Sequence, residues 1–174
     1  MDKIELIKFE ESIINFKLMH KWCSEEYVYE WFEQRILSYD EIVKKYKNKL
    51  KSNTQTLFLI EYNGCLIGYT QIYKYTDKIY NELKYLNDIY EYDIFIGEKD
   101  YLSKGIGSKV IDYINKYIFN NLKADAIVLR PFKRNTRAVK CYEKNSFCVI
   151  HEYEGYDTLG NKEKMLVMLN KKKI

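Results

Sequence analysis

The sequence predicts an α/β fold in which helices pack on the faces of a mixed β-sheet. Two β-rich segments, 57–62 and 65–73, are joined by Asn63-Gly64, a dipeptide that accepts the positive φ angles of a tight hairpin. From residue 89 onward, strand-like segments alternate with segments of helical period. A hairpin followed by such an alternation is typical of a mixed sheet.

One strand and two helices are predicted before the hairpin. Residues 4–9 form a short apolar strand, and the next segment repeats large apolar residues near helical spacing, namely Ile13, Phe16, Met19 and Trp22. Ser38 and Glu41 have the spacing of a capping box, which marks the start of the second helix. That helix is expected to bury the face formed by Ile42, Tyr46 and Leu50.

The elements after the hairpin follow one another without a linker or an internal repeat. Residues 77–88 are polar and tyrosine-rich, and we expect them to cross the surface. Strands are predicted at 89–96, 126–129, 147–153 and 165–169, and helices begin at Ile106 and Asn135. We therefore expect a single domain over residues 1–174.

The composition limits the setting in which the protein works. The 174 residues lack both an apolar run of membrane-spanning length and an apolar leader, which predicts a cytoplasmic protein without a membrane partner. The net charge of +4 comes from lysines spread along the chain and in the tail at 171–173, a pattern typical of solvated surface rather than a nucleic-acid site. Four cysteines without a C-x-x-C pair and two histidines predict reduced thiols and no metal. Both a monomer and a homodimer remain open.

A glycine-rich turn, Ser103-Lys104-Gly105-Ile106-Gly107-Ser108, leads from a strand into a helix. Such a turn directs unpaired backbone N–H groups at one point, where the helix dipole also favours negative charge. It suits a diphosphate, although an ordinary strand-to-helix turn can contain the same glycines. Val110 stands where a dinucleotide fingerprint needs a third glycine or alanine, and a Walker loop is absent.

A second motif follows downstream, Asn135-Thr136-Arg137-Ala138-Val139-Lys140-Cys141-Tyr142-Glu143-Lys144-Asn145-Ser146-Phe147. It resembles the pattern Asn-x-x-Ala-x-x-x-Tyr-x-x-x-Gly-Phe of the GNAT acetyltransferases, with Ser146 in place of the glycine. The chain also resembles the aminoglycoside 6′-N-acetyltransferases in stretches spread over most of its length, namely 20–22, 29–32, 60–63, 67–73, 93–97 and 103–107.

The resemblance implies a GNAT fold, in which a mixed, mostly antiparallel central sheet is splayed around acetyl-coenzyme A with helices on both faces. It places the pyrophosphate on residues 104–108, the pantetheine arm beside 94–96, and Tyr142 near the thioester sulfur. The implied cofactor contacts are Ile94, Phe95, Ile96, Ser103, Lys104, Gly105, Ile106, Gly107, Ser108, Asn135 and Tyr142.

Acetyl transfer to an amine requires a base, a polarised carbonyl and a proton for the departing thiolate. By the resemblance, Asp93 is the predicted base, a backbone N–H near Phe95 the oxyanion donor, and Tyr142 the acid. Asp93 as a strand-end carboxylate and Tyr142 as a packing residue remain the alternatives. Because no nucleophilic triad is visible and Cys141 is expected on another helix face, direct attack in a ternary complex is favoured over an acetyl-enzyme.

The expected acceptor is a small cationic amine, because 77–93 holds five acidic residues against Lys78 and Lys84. The resemblance specifies the 6′-amine of an aminoglycoside antibiotic. The residues expected to contact this acceptor are Glu30, Trp31, Tyr73, Asp88, Glu91 and Asp93.

Besides Ser146, four positions depart from the family pattern. Arg130, before Pro131, stands where many of these enzymes have an aspartate, Glu33 and Gln34 replace small glycines, and Leu102 replaces an Arg or Gln. Arg130 favours a different amine, such as a polyamine, a siderophore precursor or a protein amino terminus. A non-catalytic acyl-coenzyme A-binding module and a nucleic-acid-binding protein are the remaining alternatives.

Overall fold

The computed structural model describes residues 2–77 and 79–172, so Lys78 and Lys173, named above, lie outside the described residues. The first half of the chain contains three strands and three helices: β1 Ile4–Lys8, α1 Ile13–Cys23, α2 Glu26–Phe32, α3 Tyr39–Ser52, β2 Gln55–Tyr62 and β3 Cys65–Lys74. The second half contains β4 Ile89–Ile96, α4 Ile106–Asn121, β5 Ala126–Leu129, α5 Thr136–Lys144, β6 Cys148–Tyr156 and β7 Lys162–Lys171. Short 3-10 turns lie at Asn81–Leu83 and Lys99–Tyr101.

The strands form a seven-stranded sheet in the order β1-β2-β3-β4-β5-β7-β6. The pairs β1–β2, β5–β7 and β6–β7 are antiparallel, and β4–β5 is parallel. Bonds from Tyr75 N to Ile89 O and from Gly97 N to Ile67 O show that β3 and β4 are also antiparallel. The predicted α/β class with a mixed, mostly antiparallel sheet is confirmed.

The predicted hairpin is confirmed in its turn geometry. Asn63 and Gly64 have φ angles of 50° and 83°, the left-handed values that a two-residue type I′ turn requires. Lys3 N also donates to Asn63 Oδ1 at 2.8 Å, so the turn residue is bonded to the start of β1. The Asn-Gly pair therefore sets the register of β2 and β3.

The predicted capping box at the start of α3 is also confirmed. Ser38 Oγ accepts from Glu41 N at 3.3 Å, and Glu41 Oε2 accepts from Ser38 N at 2.8 Å. Ile42 and Tyr46 are buried as expected. The first helix buries Phe16, Met19 and Trp22, but Ile13 is exposed because it occupies the first helical position.

The helix α2 was not predicted, because sequence reasoning placed only two helices before the hairpin. Its seven residues, Glu-Tyr-Val-Tyr-Glu-Trp-Phe, bury only Val28, so no apolar period marks the helix. Four of the seven residues are aromatic and one is β-branched, and such residues have no strong helical preference. Short helices of this kind depend on neighbours that cannot be read from their own sequence.

The chain divides into two compact units, the first comprising residues up to 72 together with 93–104. Its core is an aromatic cluster that includes Trp22, Tyr46, Tyr69 and Phe95. A Cβ atom added at Gly97 would lie 2.2 Å from Cγ of Trp22, so only glycine lets the chain pass the indole. The Trp22 Nε1 atom donates to Glu98 Oε1 at 2.8 Å, which satisfies the buried indole.

The second unit comprises residues 73–92 and those from 105 onward. All four residues of β5 are buried, as are Ile106, Val110, Ile114 and Ile118, the predicted inner face of α4. The predicted burial of every fourth residue along α4 is confirmed. The single domain expected over residues 1–174 remains a prediction.

The departure from the GNAT pattern at Ser146 has a local explanation. Ser146 has a φ angle of 69°, and Phe147, which follows it, is buried. A left-handed residue after a helix is most often glycine, because a Cβ atom is disfavoured there. Ser146 thus adopts the left-handed turn in which glycine is usually favoured.

The part of the chain that the structure describes contains no membrane-spanning helix and no cluster of metal ligands. None of the helices there is both long enough and apolar enough to cross a membrane. The His, Cys, Asp and Glu side chains of residues 2–77 and 79–172 do not come together in groups of three or more that could hold a metal ion.

Candidate active site

The glycine-rich turn opens α4 with backbone groups that no side chain caps. Gly105 is the N-cap residue with a φ angle of 75°, Ser103 has a φ angle of 61°, and the first turn holds no acidic residue. The first N–H groups of a helix have no intrahelical acceptor. The start of α4 therefore presents donors and a positive dipole end, the arrangement that binds phosphates.

Open space surrounds the two glycines of this turn. A Cβ atom at Gly105 or Gly107 would meet no other atom within 4 Å. Neither glycine is required by protein packing, whereas Ile106 between them is buried and anchors the helix. Lys104 is exposed. The turn thus leaves room for a group to approach the backbone of Gly107 closely.

The second motif forms α5, which is bonded to the start of α4. Asn145 Nδ2 donates to Ser108 Oγ at 2.9 Å and to Cys141 O at 2.8 Å. Asn135 is the N-cap of α5, and its Oδ1 accepts from Ala138 N at 3.2 Å. The Asn135 amide nitrogen is a separate donor, so the capping role does not consume the side chain.

Tyr142 lies on α5 with its ring 5.8 Å from that of Phe147. It also interacts electrostatically with Tyr92 of β4, whose hydroxyl donates to Asn115 Oδ1 at 3.2 Å. Burial raises the pKa of Tyr92 well above its usual value, with smaller contributions from Tyr142 and Cys141. The second unit therefore brings the two sequence motifs and a buried tyrosine of β4 together.

The strand β4 continues beyond its parallel partner. The ladder between β4 and β5 covers Ile89–Glu91 and Ala126–Val128, whereas β4 runs on to Ile96. Along an antiparallel strand, residues that bond the partner alternate with residues that do not. Since Ile89 O and Gly97 N bond β3, Phe95 directs its amide at β3, and Ile94 and Ile96 direct theirs at the opposite edge.

Asp93 belongs to a polar network in the first unit. Its Oδ2 atom accepts from Gln71 Nε2, and its backbone oxygen accepts from Thr70 Oγ1 at 2.8 Å. The Gln71 Oε1 atom accepts from Lys49 Nζ and from the Tyr69 hydroxyl, the latter at 3.1 Å. Burial lowers the pKa of Lys49, and the charge of Asp93 opposes that shift.

Glu91 is paired with the residue that departs most from the family pattern. Arg130 Nε and Nη2 donate to the two oxygens of Glu91, both at 2.8 Å, and the Glu91 side chain is only 5% exposed. The Arg130 guanidinium also lies 5.6 Å from the ring centre of Tyr75. Hydrogen bonding to Glu91 raises the pKa of Arg130 further. The buried carboxylate is thus neutralised by a bidentate partner.

The other residues predicted to bind the acceptor are distributed over both units. Glu30 and Trp31 are half-buried on α2, and Tyr73 is half-buried on β3. Asp88 forms an ion pair with Lys74. The five acidic residues of 77–93 therefore do not act as one negative field, because Glu91 and Asp88 each have a cationic partner.

Sequence reasoning missed Gln71 and Lys49 and did not predict a partner for Arg130. Gln71 lies opposite Asp93 in the β3–β4 register, which requires the strand pairing to be known. Lys49 carries no signal beyond its place on an amphipathic helix among many lysines. One signal in the sequence pointed to the Arg130 pair, namely an arginine where many family members have an aspartate. A buried acid on a neighbouring strand would need such a cationic partner.

Two curated proteins illustrate what this chain is similar to in sequence. Acetyltransferase PseH of Campylobacter jejuni is 24% identical over 137 residues, which are 78% of this chain and 78% of the relative. Aminoglycoside N(6′)-acetyltransferase type 1 of Klebsiella pneumoniae is 24% identical over 135 residues, which are 75% of this chain and 67% of the relative.

Solved structures share the fold over almost the whole chain. Aminoglycoside acetyltransferase AAC(6′)-Ib, solved with coenzyme A and kanamycin, gives a TM-score of 0.78 at 20% identity and covers 99% of this chain and 95% of its own. Spermidine N-acetyltransferase of Vibrio cholerae, solved with coenzyme A and spermine, gives 0.76 at 20% identity and covers 95% and 94%. At this identity the likeness establishes the fold.

A family profile matches most of the chain and identifies its family. The profile of the acetyltransferase (GNAT) domain matches residues 14–154, which include the glycine turn, β4 and the α5 motif. The chain belongs to the GNAT family and is an acetyl-coenzyme A-dependent N-acetyltransferase.

Proposed function

We propose that this enzyme transfers the acetyl group of acetyl-coenzyme A to a primary amine of a small molecule by direct attack in a ternary complex. The observation that carries the proposal is the uncapped start of α4, lined by Gly105 and Gly107 and bonded through Ser108 to α5. It joins an anion-binding helix end to the helix that presents Tyr142. Both parts of the site lie in the stretch that matches the GNAT domain.

The proposed cofactor contacts follow the strand and the turn. Residues 104–108 hold the pyrophosphate through backbone donors, with Ser103 at the left-handed entry to the turn. The pantetheine amides bond the β4 backbone at Ile94 and Ile96, which lie beyond the ladder with β5. Asn135 contributes its amide nitrogen to the same arm.

The proposed chemistry uses three groups. Asp93 accepts a proton from the acceptor ammonium, directly or through water, and the neutral nitrogen attacks the thioester carbonyl. The oxyanion donor sought near Phe95 is an N–H of Ile94 or Ile96, because Phe95 directs its own amide at β3. The C–S bond then breaks, and the thiolate takes a proton from the Tyr142 hydroxyl. The attacking nitrogen loses its second proton, which returns through water to the Tyr142 oxygen and leaves a neutral amide.

Direct attack is favoured over an acetyl-enzyme by the state of the nearest thiol. Burial raises the pKa of Cys141, although a hydrogen bond from Ser108 opposes the shift. A raised pKa means a smaller thiolate fraction near neutral pH, and the thiolate is the nucleophile. Cys141 is therefore poorly suited to carry the acetyl group.

The proposed acceptor is the 6′-amine of an aminoglycoside, with contacts from Glu30, Trp31, Tyr73 and Asp93. The support is the residue-level resemblance and the relative named as an aminoglycoside N(6′)-acetyltransferase. The Arg130–Glu91 pair favours a second candidate, an amine with fewer positive charges, because it removes a carboxylate from polycation binding. A panel of amines separates the two.

We predict that neomycin is acetylated and that paromomycin is not, because the two differ only in carrying an amine or a hydroxyl at the 6′ position. The amine is the better nucleophile, and its ammonium form pairs with carboxylates. Thiol release from acetyl-coenzyme A is measured for both drugs and for spermidine, at low and high salt. Salt should raise the KM for neomycin by screening charge pairs.

Equal turnover of neomycin and paromomycin would contradict the 6′ regiochemistry. If spermidine is acetylated and neither drug is, the acceptor is the second candidate, an amine with fewer positive charges. The proposed acetylation of an amine would still hold.

Gly107→Val is expected to abolish binding of acetyl-coenzyme A, because the branched side chain would occupy the space next to the backbone donors. It should not unfold the protein, since the added Cβ atom meets no protein atom within 4 Å. Calorimetry measures the affinity, and Asn120→Val, which adds the same side chain at an exposed position of α4, is the control. Wild-type affinity in Gly107→Val would remove the turn from the cofactor site.

Tyr142→Phe is expected to lower kcat by about 10- to 100-fold with little change in cofactor affinity, because it removes a proton donor and almost no volume. Steady-state thiol release and calorimetry give the two quantities. Tyr113→Phe, which removes a hydroxyl from exposed α4 surface, should behave as wild type. If Tyr142→Phe also turned over at the wild-type rate, Tyr142 would be a packing residue.

A further inference from the structure

Gln71 is a buried amide whose oxygen and nitrogen both have partners. It is 7% exposed, its Oε1 atom accepts from Lys49 Nζ and the Tyr69 hydroxyl, and its Nε2 atom donates to Asp93 Oδ2. An ammonium group can only donate, so the oxygen must face Lys49. The nitrogen must then face Asp93. The three side chains thus form one directed chain of hydrogen bonds from Lys49 to the Asp93 carboxylate.

The lysine at the end of this chain is held in a place that disfavours its charge. Burial is the largest influence on the pKa of Lys49 and lowers it, while the charge of Asp93 raises it. Such coupling is reciprocal: the carboxylate stabilises the ammonium by the same free energy by which the ammonium stabilises the carboxylate. The Lys49 ammonium and the Asp93 carboxylate thus attract each other across the Gln71 amide.

Four of the electrostatic neighbours of Asp93 lie on α3 and β3. Lys45, Tyr46 and Lys49 lie on α3, and Tyr69 lies on β3. Lys45 is paired with Glu33, so its charge is partly compensated. Burial raises the pKa of both tyrosines, which keeps them neutral at ordinary pH. Of the two lysines, Lys49 is the one that hydrogen bonds link to Asp93, through the side chain of Gln71.

We propose that Gln71 and Lys49 are positioning residues for the base: Gln71 fixes the orientation of the Asp93 carboxylate, and Lys49 fixes Gln71 and supplies a positive charge on the other side of it. The inference rests on the proposed role of Asp93 in acetyl transfer. A base that must take a proton from an ammonium has to be ionised and aimed before the acceptor binds. The network aims the carboxylate and places a positive charge behind Gln71, and neither Gln71 nor Lys49 needs to contact the reacting atoms.

The first test measures the coupling without substrate. The Lys49 ammonium is titrated by nitrogen-15 NMR in the wild-type protein and in Asp93→Asn. Loss of the carboxylate should lower the pKa of Lys49 further, because Asp93 is the larger of the two influences that oppose burial, the other being Cys23. Lys44, exposed on the same helix, is the internal control and should not respond. An unchanged Lys49 titration in Asp93→Asn would overturn the coupling.

The second test follows the pH profile of kcat/KM with acetyl-coenzyme A and whichever of neomycin and spermidine is turned over. Lys49→Met should move the acidic limb to higher pH, since the carboxylate loses the cation at the far end of the Gln71 amide. Lys49→Arg, which keeps the charge, should restore the limb, and Lys44→Met should leave it in place. Lys49→Met leaves the Tyr69 hydroxyl as a donor to Gln71 Oε1, and its thermal unfolding is compared with that of the wild type before the pH profiles are compared.

Gln71→Met tests orientation separately from charge. It keeps the volume of the side chain and should lower kcat by about 10- to 100-fold with a smaller change in KM, because a misaimed base slows the chemical step. If Asp93→Asn is inactive while Lys49→Met and Gln71→Met have wild-type kcat and pH profiles, the positioning roles are wrong and Asp93 remains the base. If Asp93→Asn itself has wild-type turnover, the proposed function of Asp93 fails.

Discussion

The end of the β4–β5 ladder is the constraint on which the proposed site depends. Beyond Glu91 and Val128 the two strands no longer pair, yet β4 continues to Ile96. Backbone N–H and C=O groups need partners, and a strand edge without a neighbouring strand is a ready template for the amides of an extended ligand. The pantetheine arm of acetyl-coenzyme A is such a ligand. The two-residue period of β4 also places Glu91, Asp93 and Phe95 on one face.

Charge pairing is the second organising feature, and it changes how the acidic residues of 77–93 are interpreted. In the sequence these residues form a local excess of negative charge. In the structure Glu91 is bonded to Arg130, Asp88 to Lys74 and Asp93 to the Gln71 amide. Each pairing costs desolvation that the partner offsets, so the carboxylates are held in place rather than left as a diffuse field. Recognition of the amine acceptor then depends on which of these carboxylates has an oxygen that the acceptor can reach.

Much of the fold could be predicted because its signals are local. The Asn63-Gly64 turn, the Ser38–Glu41 capping box and the apolar face of α4 each depend on residues within a few positions of one another. The partners of the candidate site are not local: Glu91 and Arg130 are 39 residues apart, and Gln71 and Asp93 are 22 apart. Only the strand order and register bring them together. The position of Arg130 was noticed in the sequence, but its partner was not.

The central claim is direct transfer from acetyl-coenzyme A to an amine within a ternary complex. The measurement that tests it most directly is the initial rate of thiol release with both substrates varied, using the amine that the panel selects. Direct attack predicts double-reciprocal lines that intersect, because both substrates must be bound before the acetyl group moves. Parallel lines, together with a burst of thiol release in the absence of amine, would show an acetyl-enzyme and contradict the account.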